Sequence, residues 1–589
     1  VRDATLRDCR IRMQDSVCLD PAVFALGDDL LIEHNLVEVA GRAQAPAPTS
    51  VRVDDVPTRP GMLSADIGAL SARVSDDFTA ARSAADFVAG TQSRGGIQIG
   101  GTSDRVRLID NLVRGGAGNG ITLGSLIFID EQDEPVPPVR WPRPRPVDPC
   151  DPALPANVII VVVAVPVDDG RVRAASAGTL GEVLIERNRI QHMGMNGIGV
   201  AGFFDLSGAD EFITVEGLSI IGNDIRHCLR RSLSPIPAAM IDSAGYGGIA
   251  LADVERLVVR DNLIADNGPS HVEPVCGIFI LHGEGLEITR NRILDNGART
   301  EAGQTTLKAG RRGGINIVHA LAPVRPVRIG RLTLPGQGGD PALVVRHNVV
   351  SVPLGQALSA TALGPVVVEG NQFTSRGVVQ SGQGATFFAA TVALLNLGLS
   401  NEFYLQFLAF SAVARGTIST TSLAAAPAVR PGLDDQRVGA YLAGGNVMFA
   451  NNQCLFDVIE TGISLAVSSV AIFSLDDIAF VDNQCDCNLV DDVVIAHVVL
   501  FGFSLRACDN RLKESLLRAR FSALTLGFAN TTAHNQATHC LLVRAFNAAY
   551  RIGAPNTVLI DPLGTGFCES TAGVLGNFGR TTTGGIANG

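Results

Sequence analysis

The sequence predicts an all-β solenoid, and two phrases that return along the chain predict it. The first is Leu257-Val-Val259-Arg-Asp-Asn262-Leu-Ile264, echoed by Leu286-Glu-Ile288-Thr-Arg-Asn291-Arg-Ile293 with its asparagine 29 residues further on. The second is a Gly-Ile phrase, Gly248-Ile249-Ala-Leu251 and Gly277-Ile278-Phe-Ile280, whose isoleucine precedes each asparagine by 13 residues. One supersecondary unit repeated at such a period stacks on its own neighbours.

The asparagine phrase recurs at Asn35, Asn111, Asn188, Asn223, Asn348 and Asn371, then in a looser form at Asn452, Asn483 and Asn510. Apolar and polar residues alternate up to each asparagine, as at Leu286 and Ile288, which is the period of a half-buried strand. The Gly-Ile phrase recurs at Gly96, Gly120, Gly197 and Gly314. Its glycine is expected where the chain bends and a β-carbon would clash. Strands spaced this way pair in parallel with their equivalents one coil away, at about 4.8 Å. The class is therefore a right-handed parallel β-helix with loop and short-helix insertions. Asn111, Asn188, Asn223, Asn262, Asn291, Asn348, Asn371, Asn452 and Asn483 are expected to take the left-handed conformation at a bend and to bond one another in a ladder.

The chain divides into an N-terminal β-helix over 1–375, an insertion or seam over 376–445 and C-terminal coils over 446–589. Residues 41–94 interrupt the first part, and Ile67, Leu70, Val74, Phe78 and Ala81 follow Ser64 at helical spacing, predicting a short flanking helix. Residues 125–180 hold a proline-dense run with Trp141, the only tryptophan, suited to an extended loop strapped to the coil wall. After 445 the dialect changes to Asn-Gln-Cys, as at Asn452 and Asn483.

Composition fits one long interior: 46% of 589 residues are hydrophobic and 64 are glycine. No apolar run is long enough to span a membrane. A net charge of −11 weighs against a polyanionic partner, and the local basic spots at Arg311-Arg312 and Arg226–Arg231 are too small for nucleic acid. Eleven cysteines include Cys454 and Cys485 at equivalent repeat positions, which reads as stacked thiols. Cys485 and Cys487 are expected on opposite faces of a strand, and no second pair stands at zinc-site spacing, so no metal site is assigned.

These phrases resemble the pectate-lyase-like superfamily of single-stranded right-handed β-helices, over most of the chain. The resemblance implies the fold. It leaves function open, because that superfamily includes lyases, hydrolases, epimerases, tailspikes, adhesins and non-catalytic scaffolds. Its hydrolases pair aspartates with a His-Gly and an Arg-x-Lys, and its lyases use calcium-binding acids with an arginine base. The chain has Asp28-Asp29, Asp476-Asp477, Asp491-Asp492 and His282-Gly283, without the hydrolase's Asn-Thr-Asp or Arg-x-Lys in order. The candidate catalytic cluster is Asp261, Asp295, His282 and Glu284 with Arg290, on neighbouring coils of the cleanest repeats. Two carboxylates act as acid and base when they converge about 5 to 10 Å apart on one face. No cofactor is assigned, with calcium implied only under the enzyme reading. One Trp and four Tyr give few faces for sugar stacking.

Repeat-like sequence starts at once, in Ala4-Thr-Leu-Arg-Asp-Cys-Arg-Ile-Arg-Met13, with no signal peptide or polar cap. The expectation is a mature fragment, or the ordered part of something longer, whose open strand edges are covered by more chain or a partner. The segments Ser474–Leu489 and Leu516–Val543 also resemble large bacterial β-helix proteins associated with phage-tail-like contractile injection clusters. The expected function is a non-catalytic structural or surface-binding component of an extracellular or phage-tail-like bacterial assembly, at the cell surface or within a secreted particle. Its partners would be copies of itself or other subunits, with glycan as a further ligand. The alternative is a polysaccharide-active lyase or hydrolase.

Overall fold

The computed structural model describes residues 1–14, 21–40, 95–116, 118–129, 173–201, 213–230, 245–271, 275–298, 312–323, 327–329, 332–334, 340–376, 390–398, 444–457, 467–488, 496–514, 521–527, 529–533, 535–538, 543–549, 557–561 and 582–583. Strands account for the regular structure among them, and they form a parallel β-helix solenoid. The predicted helix over 64–81, Trp141 and most of 376–445 lie outside the described residues. The chain falls into two compact units, Val1–Glu255 and Arg256–Gly589.

In the first unit each coil carries a strand leading to an asparagine and a short strand leaving it. Asp28–Glu33, Asp104–Ile109, Leu180–Glu186 and Thr214–Ile221 pair in parallel, each with the next in that order. The short strands Leu36–Ala40, Leu112–Gly115, Arg189–Gln191 and Asp224–Arg226 pair likewise. The Gly-Ile strands Ile97–Ile99, Ile121–Leu123 and Ile198–Val200 add a third parallel ladder. Inward positions form apolar stacks: Ile32, Leu108, Ile185 and Ile220 are all buried and in register. The insertion over 125–180 closes at its base on an antiparallel pair, Leu126–Ile129 with Arg173–Ser176.

The second unit repeats the scheme, and in its early coils the phrases merge into long strands. Val275–Thr289 runs through both the Gly-Ile phrase and the approach to Asn291, pairing with Arg312–Leu321 and then with Leu343–Arg346. Its later coils stack aromatic rings as well. Phe449 and Phe480 lie parallel with centroids 5.4 Å apart, fully buried.

The glycine of the Gly-Ile phrase has a packing reason. A β-carbon on Gly277 would stand 2.3 Å from Ile293 Cγ2 and 2.9 Å from the Gly314 carbonyl oxygen. Gly120 and Gly197 meet Ile190 and Ile225 in the same way, at 2.2 Å each. Across the coil, then, each such glycine makes room for the branched residue that follows the asparagine. None of these three takes a left-handed conformation.

Candidate functional site

The coil corners hold the polar chemistry, and the asparagine ladder organises the first of them. In the first unit, Nδ2 of Asn35 donates to Oδ1 of Asn111 at 3.0 Å, Asn111 to Asn188 at 2.9 Å and Asn188 to Asn223 at 3.1 Å. In the second unit the chain of bonds passes from Asn262 through Asn291, Asn348, Asn371, Asn452, Asn483 and Asn510 to Asn535. Each backbone N–H at these rungs donates to the same Oδ1, as Asn262 does to Asn291 at 3.0 Å. The second Nδ2 hydrogen goes to a strand carbonyl, for Asn291 that of Val259 at 2.8 Å. Every amide is thus saturated inside the coil, where an unpaired polar atom would be costly.

One expectation about this corner is corrected. The left-handed residue is the one before the asparagine: His34, Asp110, Arg187, Asp261, Arg290, His347, Asn451, Asp482 and Asp509 all have φ between 51° and 59°. That residue turns the chain outward, while the asparagine keeps a negative φ and points its amide inward. A second ladder, absent from the sequence reading, stands after the short strand. Asn196 donates to Asn119 at 3.1 Å in one unit, and Asn267 to Asn296 at 2.8 Å in the other. The Asn-Gly pairs at 119–120, 196–197, 267–268 and 296–297 were its sequence signal.

The residues facing outward at the corners pair by charge from coil to coil. Arg290 holds Asp261 through two bonds, Nε to Oδ1 at 2.7 Å and Nη2 to Oδ2 at 2.8 Å. Arg187 holds Asp110 and Arg105 holds Asp29 with the same fork. The Arg290 guanidinium pushes the Asp261 carboxyl below its ordinary range, so Asp261 is ionised and engaged at neutral pH. Glu38 accepts from Arg114, Arg12 and Arg10, which hold its carboxyl down to about 2.

Of the five candidate residues, the structure brings Asp261 and Arg290 into contact. Asp295 sits at a different corner, beyond the strand Arg292–Leu294, where its amide donates to Ser351 O at 2.9 Å. His282 and Glu284 lie on the strand ahead of Arg290, two residues apart. His282 is buried and stands in register with His319 of the next coil, their ring centroids 6.3 Å apart. Burial, and then the charge of His282, lower the His319 imidazole to about 4. Among the described residues no group of three or more His, Cys, Asp or Glu side chains is placed to hold a metal ion.

Of two further buried clusters, the Ser469–His497 pair was not foreseen, while the stacked thiols of Cys454 and Cys485 were. His497 Nε2 lies 2.9 Å from the Cys485 carbonyl, which only accepts, so Nε2 carries the proton and Nδ1 accepts from Ser469 Oγ at 2.9 Å. Burial lowers this histidine to about 4. Serine and histidine are both sealed from solvent, so the pair has a structural rather than a nucleophilic setting. Cys454 and Cys485 stack in register as reduced thiols; the hydrogen bond from Cys454 and burial together raise the Cys485 thiol well above its usual value.

The expectation that Cys485 and Cys487 face opposite ways is corrected. Residues two apart on a strand share a face, and both are buried on the inner one. No helix among the described residues is long and apolar enough to cross a membrane. No family model, curated protein or solved structure matches the chain.

Proposed function

We propose that the chain is a non-catalytic β-helix serving as a structural or surface-binding component of an extracellular or phage-tail-like bacterial assembly. The observation that carries this reading is the commitment of the corner carboxylates Asp29, Asp110 and Asp261 to bidentate arginine pairs, with Asp261 held by Arg290 the instance inside the candidate cluster. A carboxylate so held neither donates a proton at neutral pH nor is free to attack. The interior asparagines support the same reading, since they bond one another in ladders beside the apolar stacks.

The test is to incubate purified protein with acidic and neutral polysaccharides, with and without calcium, and to image native material by electron microscopy. Ordered oligomers without release of sugar ends are expected, and release of unsaturated or reducing ends would contradict the reading.

A polysaccharide-active lyase or hydrolase is the second reading. The His282–His319 pair favours it, because an imidazole kept neutral at pH 7 has a lone pair to accept a proton. Should cleavage be found, His319→Gln decides whether this pair performs it, since unchanged activity removes the pair, and Asp295→Asn tests the separate corner at Asp295.

A further inference from the structure

One outer face of the second unit carries a row of side chains that reads as one half of a self-complementary contact. The strands Leu343–Arg346, Val366–Glu369, Val447–Ala450 and Ile478–Val481 pair in parallel, with Val344, Val367, Met448 and Ala479 in register. The coils on either side place Glu287 against Val344 and Arg506 against Ala479. The column therefore runs acid, four apolar residues, base. These six positions point outward, since the residues between them are buried and Met448 itself is 37% exposed.

Asp261, Asp110 and Asp29 are each clasped by an arginine, whereas Glu287 and Arg506 make no ion pair among the described residues; Glu287 feels the charge of Arg290, which is itself bound to Asp261. Glu287 accepts a long bond of 3.4 Å from the Thr289 hydroxyl. An outward apolar stripe, half-buried at Val344, Val367 and Ala479 and exposed at Met448, with opposite charges at its two ends is complementary to a copy of itself in reversed order.

We propose that this stripe is the interface between two copies of the chain related by a two-fold axis running along the strand direction. Such a rotation turns the face over and reverses the stacking direction while leaving each column opposite itself. Glu287 of one copy then meets Arg506 of the second, Arg506 meets Glu287, Val344 meets Ala479, and Val367 meets Met448. The contact repeats symmetrically, so both charges are satisfied at once. Five steps of about 4.8 Å make the stripe roughly 24 Å long. A single column of this length is narrower than the roughly 800 Å² per partner of a standard interface, so the dimer is reversible and concentration-dependent. The inference rests on the assembly reading above for the kind of partner.

Sedimentation equilibrium of the full chain tests it, with Arg506→Glu, Glu287→Arg, the double exchange and Met448→Lys. The wild type is expected to dimerise with concentration. Each single reversal sets like charges together twice and should weaken association by roughly tenfold, the double exchange should restore it, and Met448→Lys should abolish it. All four changes are at outward positions, so thermal melts by circular dichroism serve as the folding control. A wild type that stays monomeric at every concentration overturns the proposal, as do single reversals without effect or a double exchange no better than the singles. The polysaccharide screen on the same samples separates the two readings. A dimer that obeys the exchange series but cleaves glycan overturns the assembly reading alone, and an inactive monomer overturns the interface alone.

Discussion

At the scale of the residue, the ladder asparagine does several jobs with one amide. Asn291 donates to Asn348 and to the Val259 carbonyl and accepts twice from Asn262. Asn291→Ala leaves those partners unpaired in a buried corner, at a cost of about 2 to 3 kcal/mol, which denaturant unfolding will read. The residue before it has the opposite requirement. Asp482 has φ 55°, so Asp482→Val should cost about 1 to 2 kcal/mol and Asp482→Gly little, measured as thermal midpoints. The repeat showed which residue is invariant within the phrase, because a buried amide tolerates few replacements. It did not show which residue bends the chain, because Arg187 and Arg290 occupy that corner beside the Asp, His, Asn and Gly that tolerate a left-handed conformation, and blur the pattern. The fork between Asp261 and Arg290 was hidden for a related reason: the partners are 29 residues apart and meet only once the coils are stacked.

The strand and the corner are the elements, and their alternation was legible because one face of each strand is buried and the other is not. Leu286 and Ile288 turn inward while Glu287 turns outward, as the period of two requires. The Gly-Ile phrase was legible as a repeat but not as a packing device, since the atom it avoids, Ile293 Cγ2, is 16 residues along the chain. Gly277→Ala should therefore destabilise by about 1 to 3 kcal/mol through overpacking, and combining it with Ile293→Ala, which removes Cγ2, should cost less than the sum of the two single changes in the same unfolding assay.

Buried histidines give the later strands a pH dependence. His497 has an ordinary value of 6.5 that folding lowers to about 4, so its neutral form is the one the fold holds. Its contribution is fully present above pH 6.5 and is lost as pH falls towards 4, an effect on the order of 3 kcal/mol. His497→Gln should flatten the fall in stability across that window, and an unchanged slope would show that the imidazole titrates normally.

For the whole molecule, fold was readable and function was not, and the reason is physical. A solenoid's stability depends on the same few positions in every coil, which writes the architecture into the chain many times over. A site depends on single residues brought together once, which leaves no period to detect. His282 meeting His319, or Ser469 meeting His497, follows only from register. Within the second unit, the claim on which the rest depends is that successive coils stand in register on the outer face. Oxidative cross-linking of paired cysteine substitutions tests it most directly. Gln372 and Gln453 are in register one coil apart, within disulfide reach, whereas Gln372 and Leu455 are offset by two residues along the strand, roughly 8 Å between α-carbons. Gln372→Cys with Gln453→Cys is expected to link readily, and Gln372→Cys with Leu455→Cys is not. The reverse result, or equal linking of both pairs, would contradict that register.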